Sequence, residues 1–323
     1  MIMTRPNNFL KTAAARTLSL ASVMRMTDEE AFAAFRAMRW AETAGEPVCP
    51  TCGCLDHYTT ARPRTWKCKG CAKIFTVTTD TLFHARKMAM RDILAAIALF
   101  VNAASGASAL RLSRELNIQH KTAFVLLHKL REAMAADAVE SVGGDGQIVE
   151  VDGAYFGGHV KPANRAEDRK DLRFKENQSG KRKAVVVVRE RRGRTLAFVA
   201  KNEGAAVDTV VERIADGSQV HADEASVWDA LHTRFDARRV NHSICFWDDG
   251  ACTNWAESYF SRLRRAEVGV HHHISGKYLQ AYASEMAWRE DFRRHSNGAQ
   301  FHRVASTALA LGKSNAWRGY WQR

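Results

Sequence analysis

No stretch of this 323-residue chain approaches the roughly 18 to 20 consecutive apolar residues that a membrane-spanning helix needs. The first 25 residues place Arg5, Lys11, Arg16 and Arg25 among Ala, Ser and Thr, and lack the sustained apolar core of a secretory signal. Residues 1–25 read as a flexible leader on a cytoplasmic protein. Acidic residues are in deficit, 35 Asp and Glu against 48 Lys and Arg, for a net charge of +13 and a pI near 9.6. That deficit favours a polyanionic partner, nucleic acid first, and says little about fold. Cysteines number only seven, and four of them form two C-x-x-C pairs. In a reducing compartment such pairs indicate metal rather than disulfides.

What is present is enough for a sizeable core, with 46% hydrophobic residues and room for two or three domains. The run TDEE at 27–30 is a capping box, continued by Ala31, Phe32, Phe35, Met38 and Trp40 as a short amphipathic helix. Cys49 and Cys52 are then separated by fifteen residues from Cys68 and Cys71, a spacing that lets two knuckles close over one tetrahedral Zn²⁺. Cys54 and His57 are second choices as ligands. Between the pairs, Tyr58, Arg62, Arg64, Trp66 and Lys67 alternate aromatic and basic character, as a small three-stranded ribbon displaying cations would. Residues 26–78 are thus expected to be a helix and a zinc ribbon. Its one metal ion supplies folding energy and no chemistry. DNA contact by its basic residues is an added expectation.

Residues 79–140 read as helical, with Thr79 or Thr81 opening the first helix and Met90, Ile93, Leu94, Ile97, Leu99 and Phe100 forming its apolar face. The segment SGASALRLSRELNIQHKTAFVLLHKLREAM then breaks at residues 117–120, as a helix-turn-helix would, and sets Gln119, His120 and Lys121 at a major groove. The bland alternative is a helical hairpin that only links domains.

A Gly-rich break at 141–146 marks the main boundary, after which the pattern is mixed. The run IVEVDGAYFGG at 148–158 has strand character, yet Glu150 and Asp152 interrupt it, and a carboxylate there costs desolvation unless something positive meets it. Residues 159–183 form a polar, Lys/Arg-dense loop. Strands are expected at 183–188 and 195–199, a helix at 205–214, a strand at 219–222, a helix at 225–231 and a strand at 238–241, followed by long helices. That order suggests an α/β fold, a central mixed sheet flanked by helices. Asp152, Asp223 after the fourth strand and Glu257 on a later helix can converge into a site for hard divalent cations. Taken singly, each also reads as a strand end, a helix cap or a solvated helix position. His221, His242 and His271 to His273 are assigned no ligand role.

Across residues 17–295 the chain resembles bacterial insertion-sequence transposases of the DDE type, in the subgroup that bears a zinc ribbon before a ribonuclease-H-like catalytic core. The resemblance rests on CPTCGC, CKGC, the helix-turn-helix segment, VEVDGAYFGG, HADEASVWDAL, VNHS and TNWAESYFSRLRRAEVGVHHHISGKYLQAYASEMAWR, in that order. It implies a catalytic domain at 147–295 followed by a tail at 296–323. Asp152, Asp223 and Glu257 would be the metal-binding triad for two Mg²⁺ or Mn²⁺ ions, with Asn254 beside Glu257 as an alternative third ligand and Arg264 at a usually basic position. Gly153 departs from the pattern, since relatives commonly carry Glu there. The activity implied is cutting of insertion-sequence ends and joining of them to target DNA, by a homodimer or larger assembly on terminal inverted repeats in the nucleoid. Lys181, Arg182 and Lys183 are expected to meet the DNA backbone. Two other readings remain: a catalytically silent relative that regulates as a sequence-specific DNA-binding protein, and a nuclease that hydrolyses without joining.

Overall fold

The computed structural model describes residues 8–158, 160–161, 163–171, 174, 177, 182–223, 225–240 and 252–320. The chain divides into two compact units, residues 1–136 with 292–323, and residues 137–291.

The first unit begins with helices α1 (Leu20–Met24) and α2 (Asp28–Arg39). The capping box is formed: the Glu30 N–H donates to Thr27 Oγ1 at 3.2 Å and the Thr27 N–H donates to the Glu30 carboxylate at 2.7 Å. Strands β1 (His57–Thr59), β2 (Thr65–Cys68) and β3 (Ile74–Thr76) make the three-stranded antiparallel ribbon expected from the sequence. Trp66 is buried, with its ring 6.0 Å from Phe32, 5.5 Å from Trp40 and 5.8 Å from Phe75, so it fastens the ribbon to α2.

Helix α3 (Met90–Asn102) starts well after Thr79 or Thr81, because the buried Thr81 hydroxyl donates to the Thr78 carbonyl at 2.9 Å in a turn. Apolar on most of its circumference, α3 is buried from Ile93 through Ala98 and packs against α1 and α2. Helices α4 (Ala109–Glu115) and α5 (His120–Ala136) follow, packed on each other.

The second unit opens with the short strand β4 (Val142–Gly143) and the long strand β5 (Ile148–Phe156). Within the expected polar loop, β6 (Val160–Lys161) pairs with β7 (Lys170–Asp171), and Lys181 lies outside the described residues. Strands β8 (Lys183–Glu190) and β9 (Thr195–Ala200) form the expected hairpin. Helix α6 (Val207–Arg213), strand β10 (Ile214–Ala215), strand β11 (Gln219–Asp223), a 3-10 helix at Ser226–Thr233 and strand β12 (Asp236–Val240) come next. Asn241 and His242 are outside the described residues. Helices α7 (Asn254–Ala266) and α8 (Leu279–Phe292) complete the unit.

The main sheet has the order β12-β11-β5-β8-β9, with β5, β11 and β12 parallel and β8 antiparallel to both its neighbours. It is the mixed sheet flanked by helices that the element order suggested. Alternation along β5 sends Val149 and Val151 into a core with Val210, Val220 and Trp228, and sends Ala154 and Phe156 into a second core with Tyr259, Leu263 and Met286. Even-numbered residues of β5 therefore face α7.

After α8 the chain returns to the first unit, where α9 (Asn297–Ala310) packs on α3 and α5. The stretch expected as a tail thus holds a helix with buried Phe301, Val304 and Leu309. The same helix ties down the leader: the Thr17 and Leu18 N–H groups both donate to Asn297 Oδ1 at 2.9 Å, and Val23 of α1 is buried.

Candidate active site and metal centres

In the ribbon, Cys49, Cys52, Cys68 and Cys71 bring their sulfurs within 4.8 Å of one another. The Cys49–Cys71 and Cys52–Cys68 sulfur separations are 3.6 and 3.5 Å. A tetrahedron of thiolates at about 2.3 Å from zinc has edges of roughly 3.8 Å, so the four fit one structural Zn²⁺. The Cys71 N–H donates to Cys68 Sγ, and this bond pulls the Cys68 thiol down to about 6, toward the ligating thiolate. Cys54 and His57 are engaged elsewhere, with the Asp56 and Leu55 carbonyls.

Between α4 and α5 the turn is tight, with Asn117 in the left-handed region at φ 50° and the Ser108 hydroxyl capping α4 through the Arg111 N–H. Gln119, His120 and Lys121 are exposed where α5 begins.

Asp152, Asp223 and Glu257 lie on the α7 face of the main sheet. The parallel register pairs Ala222 of β11 with Val151 of β5, so one residue further on Asp223 stands beside Asp152, on strands about 4.8 Å apart. Glu257 lies near the start of α7, over the same face, and Asn254 is exposed one turn before it. Burial pushes the Asp152 carboxyl up to about 7; its bond from the Gly153 N–H, 2.7 Å, opposes this, and the charges of Asp223, Glu257 and Glu203 add to it. Mutual repulsion of this kind is what a bound divalent cation relieves. Among the described residues, only the four cysteines gather three or more ligand atoms within 4.8 Å. A two-ion site is larger: ions 3.5–4 Å apart, each about 2.1 Å from its oxygens, allow outer ligand atoms to stand roughly 8 Å apart. The donor set, carboxylate oxygens without sulfur or imidazole, fits Mg²⁺ or Mn²⁺.

Glu150, two residues before Asp152 on the same face, is fully buried and serves a different end. Its carboxylate accepts the Trp255 N–H at 2.7 Å and the Ala256 N–H at 3.1 Å, the free donors of the first turn of α7, and pairs with Arg191 Nε at 2.8 Å. Arg191 also donates to the Cys252 carbonyl and meets His221 Nδ1 at 3.0 Å. His221 is held well below its usual range, near 4, by burial and by Arg191, and its Nε2 donates to Gln219 Oε1 at 3.1 Å. Arg189 reaches the Trp255 carbonyl from β8 and pairs with buried Glu290 of α8. The start of α7, and Glu257 with it, is thereby fixed to the sheet.

Two family models match the chain, the transposase zinc-ribbon domain over residues 26–73 and the ISXO2-like transposase domain over residues 143–291. Together they cover more than half of its length. The chain belongs to the insertion-sequence transposases that bear a zinc ribbon. No curated protein and no solved structure gives a significant match.

Asp152, Asp223 and Glu257, the acids expected as a triad, lie inside the matched transposase domain, as do Asn254, Arg182, Lys183 and Arg264. Arg264 and Lys183 are exposed, and the Arg182 guanidinium lies 5.2 Å over the Tyr155 ring. His271 packs on Tyr282 at 4.6 Å, which occupies it in the core edge of the transposase domain. Sequence reasoning missed the role of Glu150. Glu150 carried a signal, since a second carboxylate in an apolar strand demands a partner.

Proposed function

We propose that the chain is a metal-dependent DNA transposase that cuts insertion-sequence ends and joins them to target DNA. The carrying observation is the gathering of Asp152, Asp223 and Glu257 on one sheet face within the matched transposase domain. The strand order, with three strands running parallel in β5, β11 and β12 and an antiparallel hairpin at the other edge, supports a ribonuclease-H-like core. Bound at this site, two Mg²⁺ or Mn²⁺ ions would activate a water or a 3′-hydroxyl and neutralise the leaving oxygen of an in-line phosphodiester displacement. Asp152, Asp223 and Glu257 would hold them, and Asn254 would present its amide to DNA or to water one turn away. Glu150 and Arg191 keep Glu257 in place without touching the reacting groups.

Gln119, His120 and Lys121 are suited to reading base edges of the terminal repeats. Lys181, Arg182, Lys183 and Arg264 are suited to the phosphate backbone. Coordinated cutting of two ends calls for at least a homodimer on DNA. No described helix is long and apolar enough to cross a membrane, and a cytoplasmic, nucleoid-associated protein suits a DNA substrate. The test is strand cleavage and joining of DNA carrying the native ends, with Mg²⁺ or Mn²⁺, by the wild type and by Asp152→Asn. Cleavage by both proteins alike, or by neither, would refute the assignment.

A further inference from the structure

A cavity of about 360 Å³ opens in the first unit, between α5, residues 83–88 and residues 317–320 beyond α9. That volume lies within the roughly 300–1,000 Å³ of small-ligand sites. Lys121, Thr122, Val125 and Lys129 line it from one stripe of α5, while Ala123, Leu127 and Leu130 on the opposite side of the helix are buried in the core. Buried Phe83 and Ile93 supply an apolar floor.

One wall is aromatic and held from behind. Gly319, in the left-handed region at φ 62°, turns the chain so that Tyr320 stands 4.9 Å from Trp317. Trp317 in turn stacks on buried His128 at 4.2 Å and packs edge-on with Phe124 at 5.8 Å, and its N–H donates to Ser314 Oγ at 3.0 Å. The polar part of the lining is cationic. Arg86 and Lys129 are half-buried in it, Lys87 and Lys121 stand exposed at its edge, and none of the described lining residues is acidic. Burial holds the Lys129 ammonium below its usual range, with Glu132 opposing. Cations gathered without an acid repel one another, and a bound anion relieves that cost.

We infer that this cavity takes one unstacked nucleotide of a DNA strand, with its base against Trp317 and Tyr320 and its phosphates on Arg86, Lys129 and the lysines at the edge. This rests on the DNA-acting reading above. Aromatic rings beside cations are the means by which proteins hold single strands, since every base has a face to stack and every nucleotide a phosphate. Lys121 joins two surfaces: it lines the cavity, and it stands beside Gln119 and His120 where α5 begins, so the mouth opens next to the duplex those residues are suited to read. An apolar peptide in the same place would leave four cations unmatched.

The test is the affinity of the full-length protein for duplex DNA with a short single-stranded tail, measured by fluorescence anisotropy against the same duplex with an abasic tail. The two probes carry equal phosphate charge and differ only in bases. The wild type should prefer the base-bearing tail about 5- to 150-fold. Val125→Phe, which fills the cavity from α5, and Trp317→Ala, which removes the stacking wall, should each bring that ratio close to one. Lys129→Gln should lessen the salt dependence of binding to the tail, by about 0.7 in logarithmic slope. If Trp317→Ala fails to fold, Val125→Phe decides, since it leaves the aromatic wall in place. A wild-type ratio of one, or an undiminished ratio in Val125→Phe, overturns this inference and leaves the proposed function intact. A free deoxynucleoside monophosphate that binds as tightly as the tailed duplex overturns it too, by assigning the cavity to a soluble nucleotide. Failure of the wild type to bind either duplex overturns the DNA-acting reading along with it.

Discussion

Replacing Glu150 by Ala removes a fully buried carboxylate that accepts two helix N–H groups and pairs with Arg191. Breaking a buried pair from one side costs about 3–5 kcal/mol, because the other charge is left behind. Arg191 keeps 22% of its side chain exposed, so water recovers part of that cost and the lower end applies, about 3 kcal/mol. For a unit of this size each kcal/mol moves the melting temperature by about 2–4 °C, giving a drop of about 6–12 °C. Glu150→Gln retains an acceptor oxygen for the helix amides and loses only the charge, so about 1–2 kcal/mol is expected. Thermal and urea melts of both variants, with Arg191→Ala and the double variant to complete a cycle, measure this directly. The two single changes should be far from additive. An Ala variant that melts with the wild type, or strict additivity with Arg191→Ala, would refute the clamp. Cleavage should fall with Glu150→Ala even below its melting temperature, because Glu257 loses its anchor.

Cys68→Ser, or Cys49→Ser, should release about one zinc per chain and loosen residues near 45–76 to proteolysis while residues 137–291 keep their melting transition; normal zinc content would contradict the four-thiolate site. DNA affinity should fall steeply with salt, with a logarithmic slope of about −0.9 for each phosphate neutralised. Neutralising Lys181, Arg182 and Lys183 together should flatten that slope for all sequences alike, and an unchanged slope would remove these residues from the DNA path.

The elements that could be read in advance were those whose cause is local. Paired cysteines, the Thr27–Glu30 box and the alternation around Asp152 each declare themselves within a few residues. Long-range partnership was not legible. Glu150 is satisfied by amides more than a hundred positions away, and Trp66 is buried by Phe32 and Trp40, which lie outside the ribbon. Thr81 looked like a helix cap, but its hydroxyl serves a buried turn.

The central claim is that Asp152, Asp223 and Glu257 form one metal-dependent cutting and joining centre. Its most direct test is cleavage and strand transfer of DNA bearing the native insertion-sequence ends, in Mg²⁺ and in Mn²⁺, by the wild type and by Asp152→Asn, Asp223→Asn, Glu257→Gln and the triple variant. Each single change should abolish both steps while leaving fold and DNA binding intact, and the triple variant should be little worse than any single one, because the three act as a unit. Asn254→Ala should be milder. Full activity in Asp152→Asn, or a wild type that binds these ends and never cuts them, would contradict the claim, and the second result would favour a DNA-binding regulator.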